Sequence, residues 1–464
     1  MRSEAASGAT DARVVTLPGT ATRVDPGARS LASPVLLRQV ELARGFADIA
    51  VPHGAHGPYG ERAPYAELRL LVRLHRRPLG IVSIGVSGRD VVTASELAAA
   101  VVDELGDDIH AHLRDDALQR RQTNGSSSHA IPPTAGASCT HEVRLARAAK
   151  PYVSVVVTTC NDAAHLVPCV RSILASSYDM FEVVVVENRP RGSTVAHALR
   201  DAFAGDSRVR YAEEPIRGLS AARNRGADEA RGDVVVFTDD DVIVDRHWLA
   251  HVVLAFVETS ADCVTGLILP YELETSAQRW LEEFGGFAKG FRRVVYDARS
   301  GDGDPLYPYA AGRFGSGANT ALLTSVAREI GPFDTSLGAG TASAGGEDLD
   351  LYIGLLRGGR RLTYEPAAIV WHRHHADVRL LARQLFHYGT GLSAALTKQL
   401  VAVPERRDVL RRVPRGLAYL VRTDSPKNRG KGGDYPTALT LLELAGLAAG
   451  PPAYLWARAR RVLA

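Results

Sequence analysis

The sequence predicts an α/β protein with a mainly parallel sheet flanked by helices, a small α+β unit before it and a helical region after it. Between residues 153 and 239, four apolar, β-branched segments alternate with three amphipathic ones. Continuous apolar runs are typical of strands covered on both faces, and alternation with helices favours a parallel sheet. Polar clusters follow the first, second and fourth runs. In open α/β sheets, ligands bind outside the carboxyl ends of the strands.

The chain divides by composition into five predicted segments. Its 464 residues are 45% hydrophobic and carry a formal net charge of +3, which fits a globular protein and does not indicate a nucleic-acid partner. The stretch before residue 150 is rich in turn formers and marks the clearest boundary. The segments are a disordered tail (1–34), a small α+β domain (35–119), a linker (120–149), the α/β domain (150–375) and a helical C-terminal region (376–464).

Within these segments the periodicity predicts individual elements. Residues 66–86 alternate around Arg77-Pro78 as a hairpin does, and 93–116 form an amphipathic helix capped by Thr93 or Ser95. Asp245 is the predicted N-cap of a helix that contains Trp248. In the α/β domain, strands are expected at 153–159, 182–186, 209–212 and 234–237, and helices at 166–175, 194–203 and 219–230.

Three consecutive carboxylates follow the fourth strand, in "VVVFTDDDVIVD" at 234–245. Two unit charges about 4 Å apart interact by roughly 1 kcal/mol even in water, so this turn favours a nearby positive charge. A solvated acidic turn is one reading of Asp239, Asp240 and Asp241. The alternative is a divalent metal carrying a phosphate ester, because Mg²⁺ is usually held by one or two carboxylates plus substrate phosphates. Position at a strand end favours the metal.

A second acidic pair begins "EDLDLYIGLL", a predicted helix preceded by two glycines. Carboxylates at a helix N-terminus are stabilised by the helix dipole, so Glu347 and Asp348 could simply cap the helix. They could also do chemistry, because an acceptor hydroxyl that attacks a carbon must lose its proton. A positioned carboxylate accelerates that step by roughly 10²- to 10⁴-fold.

Five stretches, taken together and in order, resemble the family 2 glycosyltransferases with the GT-A fold, in an actinobacterial type with an extra N-terminal domain. They cover about 150–375 and read "VSVVVTTCND", "EVVVVENRP", "GLSAARNRGADEARGDVVVFTDDDV", "GSGANTALLTSVAREIGPFDTSLGAG" and "GGEDLDLYIGLLRGGRRLTYEPAAIVWHRHH". The resemblance implies an inverting transfer of a sugar from a nucleotide-diphosphate donor to an acceptor hydroxyl, with Mn²⁺ or Mg²⁺ as cofactor. The acceptor would be a cell-envelope glycan, a lipid-linked molecule or a secondary metabolite.

The resemblance also assigns roles to residues of this chain. Asp348 would be the general base and Glu347 would orient the acceptor. Asp241 would bind the metal directly, and Asp239 would hold the ribose or reach the metal through water. His372 would be a third metal ligand, with His374 as second choice. Most members of the family have Asp where this chain has Glu187, and this departure leaves the identity of the nucleotide's base open. The implied nucleotide-sugar contacts are Thr159, Asn161, Asp162, Glu187, Asn188, Arg223, Asn224, Asp239, Asp240, Gly317 and Asn319.

Other features bear on location and on the acceptor. Four cysteines without a C-x-x-C pair indicate reduced, cytoplasmic thiols, with Cys160 and Cys169 as small core residues. No apolar signal segment follows the N-terminus. Residues 437–461 are apolar with a basic flank, which fits either a helix packed on its own domain or an anchor at the inner face of the plasma membrane. Aromatic residues between 280 and 291 could form an acceptor lid or a buried core.

Three other classes of protein fit the sequence less well than a glycosyltransferase does. A nucleotidyltransferase usually needs a glycine-rich, basic phosphate loop after strand one, and "TTCNDAAHL" contains neither glycine nor lysine or arginine. An inactive sugar-binding module could lose the base, yet both acidic clusters are present. A dinucleotide-binding dehydrogenase needs a G-x-G-x-x-G after strand one, which this chain does not have there.

Overall fold

The computed structural model describes residues 34–56, 62–124, 150–160, 162–300, 304–331, 333–402, 406–425, 427–432 and 434–463. Its strands, in chain order, are β1 (Val35–Glu41), β2 (Ile49–Ala50), β3 (Ala55–His56), β4 (Arg62–Ala63), β5 (Glu67–Leu74), β6 (Arg77–Gly85), β7 (Val91–Val92), β8 (Val153–Thr159), β9 (Phe181–Asn188), β10 (Val209–Glu214), β11 (Val234–Asp239), β12 (Val242–Val244), β13 (Cys263–Pro270), β14 (Val294–Tyr296), β15 (Thr320–Leu323) and β16 (Leu362–His372).

The helices number eleven within the described residues. They are α1 (Ala94–Asn124), α2 (Ala163–Leu174), α3 (Thr194–Phe203), α4 (Leu219–Glu229), α5 (Trp248–Thr259), α6 (Ser276–Phe284), α7 (Thr324–Ile330), α8 (Glu347–Arg357), α9 (Val378–Ala402), α10 (Arg406–Val421) and α11 (Thr437–Leu463).

The central sheet confirms the predicted fold class. Its order is β10-β9-β8-β11-β15-β13-β16-β12, and β14 also pairs with β16. The first four strands in that order are parallel, as the βαβ alternation predicts. β15 then runs antiparallel to both of its neighbours, while β13 and β16 are parallel to each other. The sheet is therefore mixed but mainly parallel.

Helices cover both faces of this sheet because side chains alternate along each strand. Val155 and Val157 of β8 belong to one buried cluster, which includes Trp248 of α5. Val156 belongs to the opposite cluster, which includes Tyr352 of α8. A period of two places successive side chains on opposite faces, so a continuous valine run can fill two cores at once. Because β8, β9 and β11 are parallel, their carboxyl ends share one edge of the sheet.

A three-stranded sheet, β1-β5-β6, precedes the central sheet in the chain and packs on it. One face carries α1, with Leu97 and Val101 in the same cluster as Leu70. The other face shares a buried cluster with β13 and β16 through residues such as Leu71 and Trp371. The turn between β5 and β6 falls at His75–Arg76, two residues before the predicted position. This sheet is thus sandwiched between α1 and the central sheet.

A buried ion pair joins the two sheets. Arg73 of β5 donates from Nη1 to Oδ2 of Asp245 at 2.7 Å, and both side chains are buried. The predicted N-cap role of Asp245 is wrong, since α5 begins at Trp248 with His247 in the cap position. The second oxygen of Asp245 instead accepts from the His247 N–H at 2.8 Å. Although burial acts to raise it, Arg73 and this N–H hold the pKa of Asp245 below its ordinary value.

Replacing Arg73 by methionine should lower the free energy of unfolding by about 3–5 kcal/mol, because it leaves a buried carboxylate unpaired. A group with a depressed folded-state pKa stabilises the fold above its unfolded pKa, and that contribution is lost as the pH falls. The deficit of the variant should therefore narrow in acid, once Asp245 takes up a proton. Urea unfolding at neutral and acidic pH measures both effects.

Arg89→Met is the matched control, because Arg89 forms an exposed pair with Glu96 on the same small unit. Exposed pairs contribute about 0–1 kcal/mol, so this variant should unfold near the wild-type midpoint. Equal losses in the two variants would contradict a special role for the Arg73–Asp245 pair.

The C-terminal helices α9 and α11 lie against each other through glycines. A Cβ atom at Gly389 of α9 would lie 2.0 Å from the Glu443 carbonyl oxygen, and one at Gly446 of α11 would lie 2.0 Å from that of Phe386. Glu443 is buried in α11 and forms an ion pair with Lys427. Within the described residues, one helix, over Thr437–Arg461, has the length and apolar composition to cross a bilayer, with 28% of its apolar window buried.

Several predicted segments lie partly or wholly outside the described residues. Residues 1–33 and 125–149 are among them, so the disordered tail and most of the linker stay predictions, as does the division into domains. α1 extends to Asn124, beyond the predicted helix end at 116. Cys169 is buried, as predicted, whereas Cys160 is exposed, which contradicts its predicted core position. Cys263 is buried too.

Candidate active site

The acidic triplet lies where β11 ends. Asp239 is the last residue of this central strand, Asp240 and Asp241 form the turn that follows, and β12 begins at Val242. Burial raises the pKa of Asp240 to about 7, and the charges of Asp241 and Asp239 act in the same direction. Burial also raises the pKa of Asp239. The triplet therefore places three half-buried carboxyl groups at the ligand-binding edge of the sheet, where burial and mutual repulsion oppose their ionisation.

Asp241 and His372 form a pair that fits a divalent cation. Nε2 of His372, at the end of β16, lies 3.5 Å from Oδ2 of Asp241. The other carboxylate oxygen, Oδ1, is buried and has no hydrogen-bond partner. An unpartnered buried carboxylate oxygen beside an imidazole nitrogen is a donor set that Mn²⁺ or Mg²⁺ accepts, with phosphate oxygens and water completing the shell.

The predicted set of three metal ligands does not converge. Across the described ranges, no three His, Cys, Asp or Glu side chains come close enough to hold one ion together. Oδ1 of Asp239 is instead 3.3 Å from the Arg223 guanidinium. Asp239 is therefore engaged by Arg223 in this structure, and its role at the metal, directly or through water, stays a prediction.

Arg223 ties the two acidic segments together. Its guanidinium, buried in α4, donates from Nη1 to Oε1 of Glu347 at 2.8 Å and from Nη2 to Oδ1 of Asp239. The ring of Phe333 lies 5.9 Å from the guanidinium carbon. Burial raises the pKa of Glu347, as does the adjacent Asp348, while Arg223 opposes the shift. Arg223 thus bridges two carboxylates, which favours a positioning role over the predicted contact with the nucleotide.

Asp348 is held by backbone N–H groups on both of its oxygens. Oδ2 accepts from Gly317 at 2.9 Å, and Oδ1 accepts from Leu349 in the first turn of α8 at 2.8 Å. Gly317 has room for no side chain, because a Cβ atom there would lie 2.5 Å from the Arg223 guanidinium. Asp348 remains half-buried, unlike its fully buried neighbour Glu347. The carboxylate is therefore fixed in direction and still reachable from solvent.

Asn319, predicted to contact the donor sugar, is buried and occupied by other parts of the chain. Its amide nitrogen donates to the carbonyls of Leu267 and Ala368, and its oxygen accepts from Nε1 of Trp248 at 2.9 Å. Asn224 is occupied in the same way, since its side chain exchanges two hydrogen bonds with the backbone of Phe333. These contacts favour structural roles for both asparagines.

The predicted nucleotide contacts of the first two strands lie where β8 and β9 end. Thr159 is the buried last residue of β8, and Asp162 caps α2 by accepting from the N–H of His165 at 3.1 Å. Asn161, between them, lies outside the described residues. Partial burial opposes the effect, but hydrogen bonds from His165 lower the pKa of Asp162. An ionised carboxylate at this position can accept from a ribose hydroxyl or a base N–H.

Glu187 and Asn188 end β9 and have different surroundings. Glu187 is buried and accepts from the Tyr211 hydroxyl at 2.6 Å. Asn188 donates to the carbonyls of Glu214 and Ile216 and accepts from the N–H of Gly218. Asn188 therefore holds the chain between β10 and α4 in place. Tyr211, the partner of Glu187, was not predicted from the sequence.

His374, the second choice as metal ligand, faces away from the acidic turn. Its Nε2 lies 2.8 Å from Oε1 of Glu282 on α6, and its Nδ1 lies 3.1 Å from Nδ1 of His372. The Phe287 ring packs against both imidazoles, with centroid distances of 5.1 and 5.7 Å. Sequence reasoning missed Glu282, because helical periodicity marked only the aromatic residues of that segment. α6 itself packs in a buried cluster with α9, which favours core over lid.

The structure places one acidic cluster at the ligand-binding edge of a mainly parallel sheet and a second acidic pair at a nearby helix start, as in α/β proteins that bind ligands at the carboxyl ends of their strands. The family model described as Glycosyl transferase family 2 matches residues 154–329. This chain carries a family 2 glycosyltransferase domain.

Two curated relatives and one solved structure illustrate the similarity. Pre-mycofactocin glycosyltransferase of Mycobacterium tuberculosis is 28% identical over 53% of this chain and 47% of its own length. The succinoglycan biosynthesis protein ExoM of Rhizobium meliloti is 29% identical over 45% of this chain and 62% of its own. The chain thus spans roughly half of the curated relatives it matches. The mannosyltransferase PcManGT of Pyrobaculum calidifontis, solved with GDP-Man and Mn²⁺, is 18% identical, with a TM-score of 0.40 over 68% of this chain and 76% of that one.

Proposed function

We propose that this protein is an inverting, metal-dependent glycosyltransferase that moves a sugar from a nucleotide-diphosphate donor to an acceptor hydroxyl. The observation that carries the proposal is the Arg223 bridge. By holding Asp239 and Glu347 in one buried ion-pair network, Arg223 brings the acidic turn after β11 to the start of α8. The segment expected to hold the donor and the segment expected to hold the base therefore meet at one edge of the sheet.

Asp348 would act as the general base. Its two backbone hydrogen bonds fix the carboxylate, and its partial exposure lets an acceptor hydroxyl reach it. As that hydroxyl attacks the anomeric carbon, the carboxylate takes its proton, and the bond to the diphosphate breaks on the opposite face of the sugar. Attack from the face opposite the leaving group inverts the anomeric centre. Through its ion pair with Arg223, Glu347 would hold the start of α8 close to the acidic turn after β11.

The donor would bind along the same edge. Asp162 and Glu187 would accept from the ribose or base, and Asp240 would contact the sugar. Asp241 and His372 would hold the divalent ion. Bound Mn²⁺ or Mg²⁺ would neutralise the diphosphate and stabilise it as it leaves.

A donor-hydrolysis screen tests this proposal. The protein is incubated with UDP-, GDP- and dTDP-sugars and Mn²⁺, and released nucleoside diphosphate is measured. A glycosyltransferase releases diphosphate from one donor class, faster when the acceptor is present. A nucleotidyltransferase would instead release pyrophosphate from a nucleoside triphosphate and a sugar phosphate, and an inactive module would bind donor without release. The names of two relatives point to different products, so the acceptors to be tested include pre-mycofactocin and succinoglycan precursors.

We also propose that the outward face of α11 lies on the inner face of the plasma membrane. Its inner face packs on α9, but Leu441, Leu455 and Trp456 are each at least half exposed. The exposed residues between them are small and apolar, at 445, 448 and 452, and the basic residues at 458, 460 and 461 follow. An apolar helical face that ends in arginines matches an anionic lipid surface.

The triple variant Leu441→Gln, Leu455→Gln, Trp456→Gln should lose most of its binding to vesicles that contain phosphatidylserine. Its melting temperature should hardly change, because the three side chains make little contact with the fold. Deleting α11 would be a poorer test, since it would uncover the buried face of α9. Val102→Gln with Val257→Gln, equally exposed on α1 and α5, is the control and should sediment like wild type. Absence of wild-type binding would remove the membrane from the proposal.

A further inference from the structure

Three side chains form a buried chain that ends at the proposed metal site. Oε1 of Glu282 lies 2.8 Å from Nε2 of His374, whose Nδ1 lies 3.1 Å from Nδ1 of His372. Nε2 of His372 then lies 3.5 Å from Oδ2 of Asp241. The chain links α6, the end of β16 and the turn after β11. We propose that Glu282 and His374 are positioning residues that fix the tautomer and the orientation of His372 for metal binding.

The hydrogen bonds in this chain of side chains have a defined direction. A carboxylate only accepts, so Nε2 of His374 carries the hydrogen that it donates to Glu282. A neutral imidazole has one N–H, so Nδ1 of His374 is an acceptor. His372 must then donate from its own Nδ1. This leaves Nε2 of His372 with a free lone pair, the form in which histidine binds a metal.

The distance between His372 and Asp241 is too long for a hydrogen bond of the usual charge-assisted kind. If Nε2 of His372 carried a hydrogen, it would form a charge-assisted bond to the carboxylate at about 2.7–2.9 Å. The observed 3.5 Å exceeds that range. Two acceptors that face each other at this distance, with Oδ1 of Asp241 unpartnered as well, fit a cation between them better than a hydrogen bond.

Glu282, at the far end of this chain of side chains, is buried. Its side chain is only 4% exposed, Oε2 has no hydrogen-bond partner, and His374 supplies the one described side-chain hydrogen bond, to Oε1, while the Lys289 ammonium interacts with the carboxylate through charge alone. A buried carboxylate with an unpartnered oxygen costs stability and calls for an explanation. Orientation of a metal-binding histidine by an outer carboxylate supplies one, because such partners set ring direction and raise the basicity of the ligand. Phe287, packed against both rings, restricts their rotation.

The inference rests on the proposed metal site, so its test measures binding of Mn²⁺ alone. Glu282→Met removes the acceptor while filling similar volume, and it should raise the Kd for Mn²⁺ by about 10- to 100-fold. Glu282→Gln retains an acceptor oxygen and should recover part of that loss. Glu283→Met, the adjacent position on α6, is the control and should bind Mn²⁺ like wild type. Free Mn²⁺ is counted by its electron paramagnetic resonance signal.

Two measurements keep the outcome decisive. Nitrogen-15 NMR of the wild type reports the tautomer without any substitution, and a hydrogen on Nε2 of His372 would overturn the inference even if Glu282→Met failed to fold. Wild-type affinity in a folded Glu282→Met variant would overturn it too. If Asp241→Ala abolishes Mn²⁺ binding while Glu282→Met does not, the positioning role fails and the metal site stands. If wild type binds no Mn²⁺, both fail.

Discussion

Asp348→Asn should lower the rate of sugar transfer by about 10²- to 10⁴-fold, because an amide cannot take the proton of the acceptor hydroxyl at neutral pH. Donor affinity should change little, since the proposed donor and metal contacts lie at the ends of β8, β9, β11 and β16 and not on α8. Rates of transfer at saturating donor, together with calorimetric titration of nucleoside diphosphate, separate the two quantities.

The structure also predicts a cost in stability for this variant. Both oxygens of Asp348 accept backbone N–H groups, from Gly317 and Leu349, and asparagine has one acceptor oxygen. One N–H would then face an amide NH₂, which costs about 1–3 kcal/mol. Thermal unfolding must therefore accompany the kinetics.

Asp350→Asn is the matched control. Asp350 lies in the same helix turn and also uses both oxygens, which accept from Lys398 and Gln399, but these partners belong to α9. A comparable loss of stability with transfer near wild type is expected. If Asp348→Asn transferred sugar as well as Asp350→Asn does, the base would have to be another residue, and Glu347 would be tested next.

Asp241→Ala should reduce turnover to background and remove Mn²⁺ binding, because it deletes the carboxylate of the proposed pair of metal ligands, Asp241 and His372. Wild type should be inactive in EDTA and recover with Mn²⁺ or Mg²⁺. Nucleoside diphosphate and Mn²⁺ together should stabilise wild type by about 2.7 kcal/mol at a hundredfold excess over Kd. That increment should largely disappear in the variant, which differential scanning fluorimetry can follow.

Asp233→Ala provides the comparison for this prediction. Asp233 directly precedes the first residue of β11, whereas the acidic turn follows the last one. Its carboxylate accepts from the Tyr152 N–H at 3.2 Å. The control should keep its response to Mn²⁺ and its activity. Full wild-type activity in chelator would take the metal out of the mechanism.

Elements that depend on neighbours in the chain were predicted closely from the sequence. β8 and α3 have the predicted bounds, 153–159 and 194–203, because a buried strand and an amphipathic helix each leave a local periodic pattern. The position of Asp239, Asp240 and Asp241 after a central strand, and of Glu347 and Asp348 at a helix start, follows from the same local signals. The antiparallel direction of β15 and the packing of the N-terminal sheet left no such signal.

The sequence by itself therefore determined which carboxylates lie at strand and helix ends and hence the class of chemistry. Only the tertiary structure decided their partners. Arg223 meets Glu347 across 124 residues of chain, and Asn319 turns its amide into the core. His374 bonds to Glu282 instead of facing the acidic turn. The physical reason is that a buried polar group must find a partner in space, and its energy depends on desolvation and on charges brought near by folding, which no local pattern encodes.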